Sequence, residues 1–217
     1  MKSGAIPKTF FFFSGVYALY TWNSLMNLNS YFEEVFQTPQ ITKYYTFFYM
    51  FVALCLLGLN FYLASGSDIY KVSTIMFIVI YSLFHVNYFV TQYLPNGMFK
   101  TSFFLLSVGI NGFCTSCYVT LTAGLSLRFG ENEFVLRNIG ISFGALITNF
   151  LAALGVYYTK QYPIRYLYLM YMFVGDIGIL GFFFFKLYFY GLCKKNYYVE
   201  PNNEKDIELL EIKSNFL

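Results

Sequence analysis

Residues 71–94 read KVSTIMFIVIYSLFHVNYFVTQYL, and after Lys71 the only side chain in the run that can carry a charge near neutral pH is His85. A helix rises 1.5 Å per residue, so about 20 apolar residues cross the roughly 30 Å hydrocarbon core of a bilayer. A membrane strand would alternate apolar and polar residues over about 10 positions. This run does not alternate, and it is too long for a strand. A helix also satisfies its own backbone groups in lipid, which a lone strand cannot do.

Runs of the same kind lie on either side, at 9–32, 44–64, 101–127, 134–158 and 163–190. The 217 residues are 58% hydrophobic and only 12% charged, against about a quarter charged for a soluble domain. The sequence therefore predicts an all-α integral membrane protein of six transmembrane helices, with a membrane domain over 1–193. A polar tail over 194–217 carries Glu200, Glu204, Asp206, Glu208 and Glu211 and is expected in water. Short gaps rich in turn residues join the runs, such as Gln37-Thr38-Pro39-Gln40 and Pro95-Asn96-Gly97. The first run is too long and too rich in asparagine for a cleaved signal peptide, and it reads as a retained span. The 28 Phe and 22 Tyr exceed what interfacial belts need and read as compositional bias.

Basic residues set the expected orientation. With the N-terminus inside, Lys2, Lys8, Lys71, Arg128, Arg137, Lys186, Lys194 and Lys195 fall inside, and Lys43, Lys100, Lys160 and Arg165 outside. Eight against four places both termini in the cytoplasm, and the chain is expected in the plasma membrane.

Several classes find no support. The net charge of +3 is spread thinly, with no basic cluster suited to nucleic acid. One histidine is too few for a membrane di-iron oxidase. No Gly-rich phosphate loop, Gly-x-Ser-x-Gly elbow or Walker lysine is present, so no enzyme and no cofactor is expected. Cys114-x-x-Cys117 lacks the second ligand pair that zinc requires, and its thiols read as small apolar groups; no metal is expected.

The runs do carry polar stripes at helical spacing. The first has Tyr20, Asn23, Asn27 and Ser30; the fourth Ser107, Asn111, Thr115, Tyr118 and Thr122; the fifth Asn138, Ser142, Ala145 and Asn149. Each alone reads as hydrogen bonding between helices. Three together read equally well as the lining of a cavity for a neutral polar ligand with an apolar or aromatic ring. His85 and Asp176 lie deep in their spans, either as hydrogen-bonded groups at a helix contact or as a proton or polar relay. Gly140-x-x-x-Gly144 predicts close helix packing.

The first span contains Gly15, Leu19, Trp22-Asn23 and Met26, followed by Tyr31-Phe32. This resembles the first span of equilibrative nucleoside transporters, which carries a Gly, a Leu-Pro-Trp-Asn core, a Met four residues after the Trp, and a Tyr-Phe pair at the exit. Gly109-Ile110-Asn111-Gly112-Phe113 resembles the Ile-Asn-Ser-Phe of the family's fourth span, and Arg137-Asn138-Ile139-Gly140 its Gly-rich fifth span. The family's Pro before the Trp is Thr21 here, and a glycine of its fifth span is Asn138.

The resemblance implies the N-terminal six-helix bundle of a major-facilitator-like carrier, half-size or incomplete. It moves nucleosides or nucleobases down their gradient, with a second copy or another half-transporter completing it. It also implies that Leu19, Trp22, Asn23, Met26, Asn111, Cys114, Tyr118 and Asn138 bind substrate. The alternatives are a non-transporting six-helix partner protein and a proton-coupled carrier of another small polar solute. In a cysteine-free background, single cysteines added beside Lys2 and Asn203 are expected to resist an impermeant thiol reagent on intact cells, and one beside Gln40 to react. Labelling in the reverse pattern would invert the topology.

Overall fold

In the computed structural model, which describes residues 5–56, 58–59, 69–159 and 165–197, the first apolar run is three helices rather than one. They are α1 Ala5–Ala18, α2 Tyr20–Asn27 and α3 Asn29–Phe36, separated at Leu19 (φ −116°, ψ 9°) and Leu28 (φ −98°, ψ 16°). The N–H of Leu28 bonds to Leu25 O at 3.1 Å, three residues back instead of four. Thr21, Asn23, Ser24, Asn27, Asn29 and Ser30 crowd this stretch. Such side chains compete for backbone groups and weaken a helix interior. Gln37 then closes α3 in the left-handed conformation (φ 51°, ψ 32°).

The remaining elements are α4 Ile41–Cys55, α5 Ile69–Tyr93, α6 Met98–Phe129, α7 Glu131–Thr159 and α8 Arg165–Tyr197; no strand occurs among the described residues. Among the described residues, four helical stretches are long and apolar enough to cross a membrane: Ile69–Tyr93, Met98–Phe129, Glu131–Tyr157 and Arg165–Leu192. They coincide with the last four expected runs. Of the first two, 9–32 is segmented, and 44–64 is a continuous helix only as far as Cys55. Residues 57 and 60–64, and the tail from 198 onward, lie outside the described residues.

The most extensive contact joins α1 to α7, followed by α5 with α6 and α4 with α6. Glycine makes the first of these possible. A Cβ at Gly140 would strike the carbonyl of Phe12, one at Gly144 the carbonyl of Val16, and one at Gly15 the carbonyl of Arg137. Gly140-x-x-x-Gly144 therefore lets two backbones touch, as expected. Gly112 does the same for α6 against the backbone of Tyr49 on α4.

Tyrosine has a structural use that its abundance concealed. Buried phenol hydroxyls donate to carbonyls of other helices: Tyr20 to Tyr171 O (2.9 Å), Tyr45 to Leu25 O (3.2 Å), Tyr168 to Phe84 O (2.8 Å) and Tyr171 to Thr148 O (2.9 Å). Tyr81, also buried, donates to Tyr17 O at 3.1 Å. Two of these carbonyls, Tyr17 O and Leu25 O, lie just before the breaks at Leu19 and Leu28. Compositional bias alone does not account for this placement. Rings fill the rest of the core: Phe10 stacks on Phe189 (centroids 4.1 Å apart), and Phe32 packs against Phe104 (4.8 Å).

Gly144→Leu is expected to destabilise the detergent-solubilised protein by about 1–3 kcal/mol or more, because the added side chain meets backbone that cannot yield. Gly124 has open space around it, so Gly124→Ala should be neutral or stabilising by up to about 1 kcal/mol. Melting curves of the two variants would show a glycine contact to be unimportant if they moved together.

Candidate functional site

Two places carry the expected site residues. The first is the surface where α2 meets α4 and α7. Trp22, half-buried, stacks on Tyr49 with centroids 3.7 Å apart and planes 21° apart, and Tyr45 meets it edge-on at 6.4 Å. Met26 lies one turn further, its sulfur accepting from Thr46 Oγ1 at 3.8 Å. Asn27 donates to Thr148 O (3.1 Å) and to Asn149 Oδ1 (3.4 Å), which joins the α2 face to α7. Asn23 sits one turn before Asn27 and is half-buried, as is Leu19 at the break. On α7, Asn138, Ser142 and Asn149 are all exposed. This stripe points out of the bundle.

The stripe on α6 does the opposite. Ser107, Asn111, Thr115, Tyr118 and Thr122 are all buried. Asn111 donates to Ile80 O (3.1 Å) and accepts from Thr115 Oγ1 (3.2 Å), and the Tyr118 hydroxyl pairs with Ser14 Oγ (3.1 Å). These groups hold α6 to α5 and α1 in the bundle interior. They do not share the surface that presents Trp22 and Met26, and Asn138, exposed on α7 near the level of Phe12 and Gly15, stands apart from both. Cys114 and Cys117 are free and buried beside them. Among the described residues no group of three His, Cys, Asp or Glu side chains is placed to hold a metal.

The second place is the contact of α5 with α8. His85 Nε2 lies 3.1 Å from Asp176 Oδ1 and 3.2 Å from Oδ2, with side chains 31% and 44% exposed. The other ring nitrogen, Nδ1, sits 2.9 Å from Tyr81 O. The residue that carries this carbonyl sends its hydroxyl to Tyr17 O, so the pair is tied to the first break. An open groove of about 570 Å³ runs beside it between Phe77, Ile78, Tyr81, Ile179, Leu180 and Phe183. The sequence marked each member of the pair as a deep ionisable group. Their meeting needed the crossing of two helices far apart in the chain.

Three cations counted in the basic asymmetry lie inside the protein. Arg137 and Lys186, assigned to the inner margin, and Lys100, assigned to the outer, are buried in the protein. Arg137 donates to Thr122 Oγ1 (3.1 Å), Asn138 Oδ1 (3.1 Å) and Val119 O (2.7 Å). Lys186 donates to Ser73 Oγ (3.0 Å) and lies over the rings of Tyr118 (5.2 Å) and Phe10 (5.8 Å). Without these three, eight against four becomes six (Lys2, Lys8, Lys71, Arg128, Lys194, Lys195) against three (Lys43, Lys160, Arg165), and the asymmetry keeps its ratio.

Helices of this length and apolarity, packed in this way, define a multi-pass membrane protein. No protein-family model, curated protein or solved structure matches the chain.

A double-mutant cycle with His85→Gln and Asp176→Asn is expected to show a coupling on the order of 1 kcal/mol in thermal stability. Strictly additive effects would show that the two groups are neighbours without being partners.

Proposed function

We propose that the chain is a six-span, N-terminal-type half of an equilibrative nucleoside or nucleobase carrier, with both termini cytoplasmic. In this reading the segmented helix over 5–36 and the helix beginning at Ile41 are the first two spans, and the six form a major-facilitator-like bundle. The observation that carries it is the α2 surface. A half-exposed indole, stacked on Tyr49, stands beside Asn23 and Met26, where the first-span motif resembles that of the transporter family. An indole offers a planar base a stacking surface, and amides offer it hydrogen bonds.

The outward stripe of Asn138, Ser142 and Asn149 supports the same reading. Amides and hydroxyls facing hydrocarbon cost on the order of a kcal/mol each unless protein or a wet path covers them. Alternating access rocks one bundle against another around a site between them. A second copy or a second half-transporter would supply the missing bundle and cover the stripe. The His85–Asp176 pair favours one further reading, a proton-coupled carrier, because an intramembrane acid beside a histidine can take up and release a proton.

Purified chain in liposomes tests the proposal. Labelled adenosine or uridine should enter, and Trp22→Ala should cut the rate on the order of tenfold, the worth of a lost stacking contact. A folded, membrane-inserted chain with no flux would favour the non-transporting assembly role. Flux unchanged in Trp22→Ala would place the substrate away from α2.

A further inference from the structure

Near the centre of the bundle, four polar side chains are buried without a hydrogen-bond partner: Thr21 and Ser24 on α2, Asn87 on α5 and Ser107 on α6. Asn87 is the sharpest case. Its side chain is 0% exposed, and neither its amide oxygen nor its amide nitrogen is paired. A buried unpaired polar group costs about 1–3 kcal/mol, and such groups in native proteins ordinarily meet a water, an ion or a ligand.

Contacts on either side bracket the four in depth. Tyr81 bonds to Tyr17 O below, and Tyr31 pairs with Thr91 above at 2.7 Å. Thr21 and Ser24 lie between these contacts on the first run, and Asn87 lies between them on α5. The bond from Asn111 to Ile80 O sets the antiparallel register of α5 and α6. One turn along, that register brings Ser107 to the level of Phe84, within a turn of Asn87. On α2, Trp22 and Met26 turn to α4, Asn27 to α7 and Tyr20 to α8. Thr21 occupies the sector that remains, toward α5, and Ser24 lies between it and Tyr20.

We propose that this cluster is a binding site for a dehydrated monovalent alkali cation. Its ligands are Thr21 Oγ1, Ser24 Oγ, Asn87 Oδ1 and Ser107 Oγ, four neutral oxygens from three helices. The tightened turn at Leu28 adds a fifth candidate. The Leu28 N–H goes to Leu25 O, which leaves Ser24 O without its helical donor. Half-unwound helices in membrane carriers offer ions such carbonyls.

The ligand set bears on the ion. Calcium and magnesium are held largely through carboxylates, and none is in the cluster. No sulfur or imidazole is in the cluster either, which disfavours transition metals. No cationic side chain is among the ligands. The buried Lys186 is at the level of Tyr118, eleven residues along α6 from Ser107, or about 16 Å away. A water bound with the ion would accept from Asn87 Nδ2. The site requires no nucleoside and stands whether or not the chain carries one.

The test is melting of the purified chain, without any solute, in sodium, potassium or N-methyl-D-glucamine chloride at equal ionic strength. Stabilisation by sodium or potassium over N-methyl-D-glucamine, saturating with concentration, is expected, and the two alkali arms report the size the site prefers. Asn87→Leu should remove the response while melting no lower than the parent does in N-methyl-D-glucamine, because the unpaired amide is gone. Thr21→Val and Ser107→Ala, milder changes, should each weaken the response even if Asn87→Leu fails to fold. Equal melting of the parent in all three salts would overturn the proposal. So would an alkali-dependent shift that survives in all the folded variants.

Discussion

Tyr20, Tyr45, Tyr81, Tyr168 and Tyr171 each send a hydroxyl into the backbone carbonyl of another helix, and the rest of the bundle depends on these bonds. Hydrocarbon gives helices no hydrophobic reason to associate, because lipid tails are as apolar as leucine. Specific pairing must come from close packing and from polar groups with nowhere else to go. A phenol supplies both, a flat apolar ring that fills the core and one hydroxyl that must be satisfied. The bonds also reach Tyr17 O and Leu25 O, close to the two breaks in the first run. They hold the chain where its own helical hydrogen bonding is weakest.

Glycine sets how closely this can happen. Where Gly140 and Gly144 bring α7 onto the backbone of α1, one face of α7 is consumed and its polar stripe is left facing outward. Where Gly112 brings α6 onto α4, the polar face of α6 turns into the bundle and is absorbed by α1, α5 and α7. Two stripes that look alike in the sequence thus serve different ends. One is internal hydrogen bonding and the other lies on the surface.

The buried cations follow the same logic. Arg137 satisfies its planar fork with three oxygens from α6 and α7. Lys186 has one hydroxyl and the faces of two rings. Both bind helices together in a medium where an uncompensated charge is costly. Position near a span end therefore did not place either one in water.

The long apolar runs after residue 69 and the Gly140-x-x-x-Gly144 contact were legible in the chain, because hydrophobic length and small-residue spacing are local properties. The first run was legible as apolar but not as segmented. Its Thr, Ser and Asn residues are compatible with a continuous helix until neighbouring hydroxyls stabilise the breaks. His85 and Asp176 were visible one at a time. That the two meet across α5 and α8, that Asn111 and Tyr118 point inward while Asn138 points out, and that Asn87 is left without a partner were decided only by the packing. Helix periodicity says which residues share a face, and it is the rotation of each helix against its neighbours that says what the face meets.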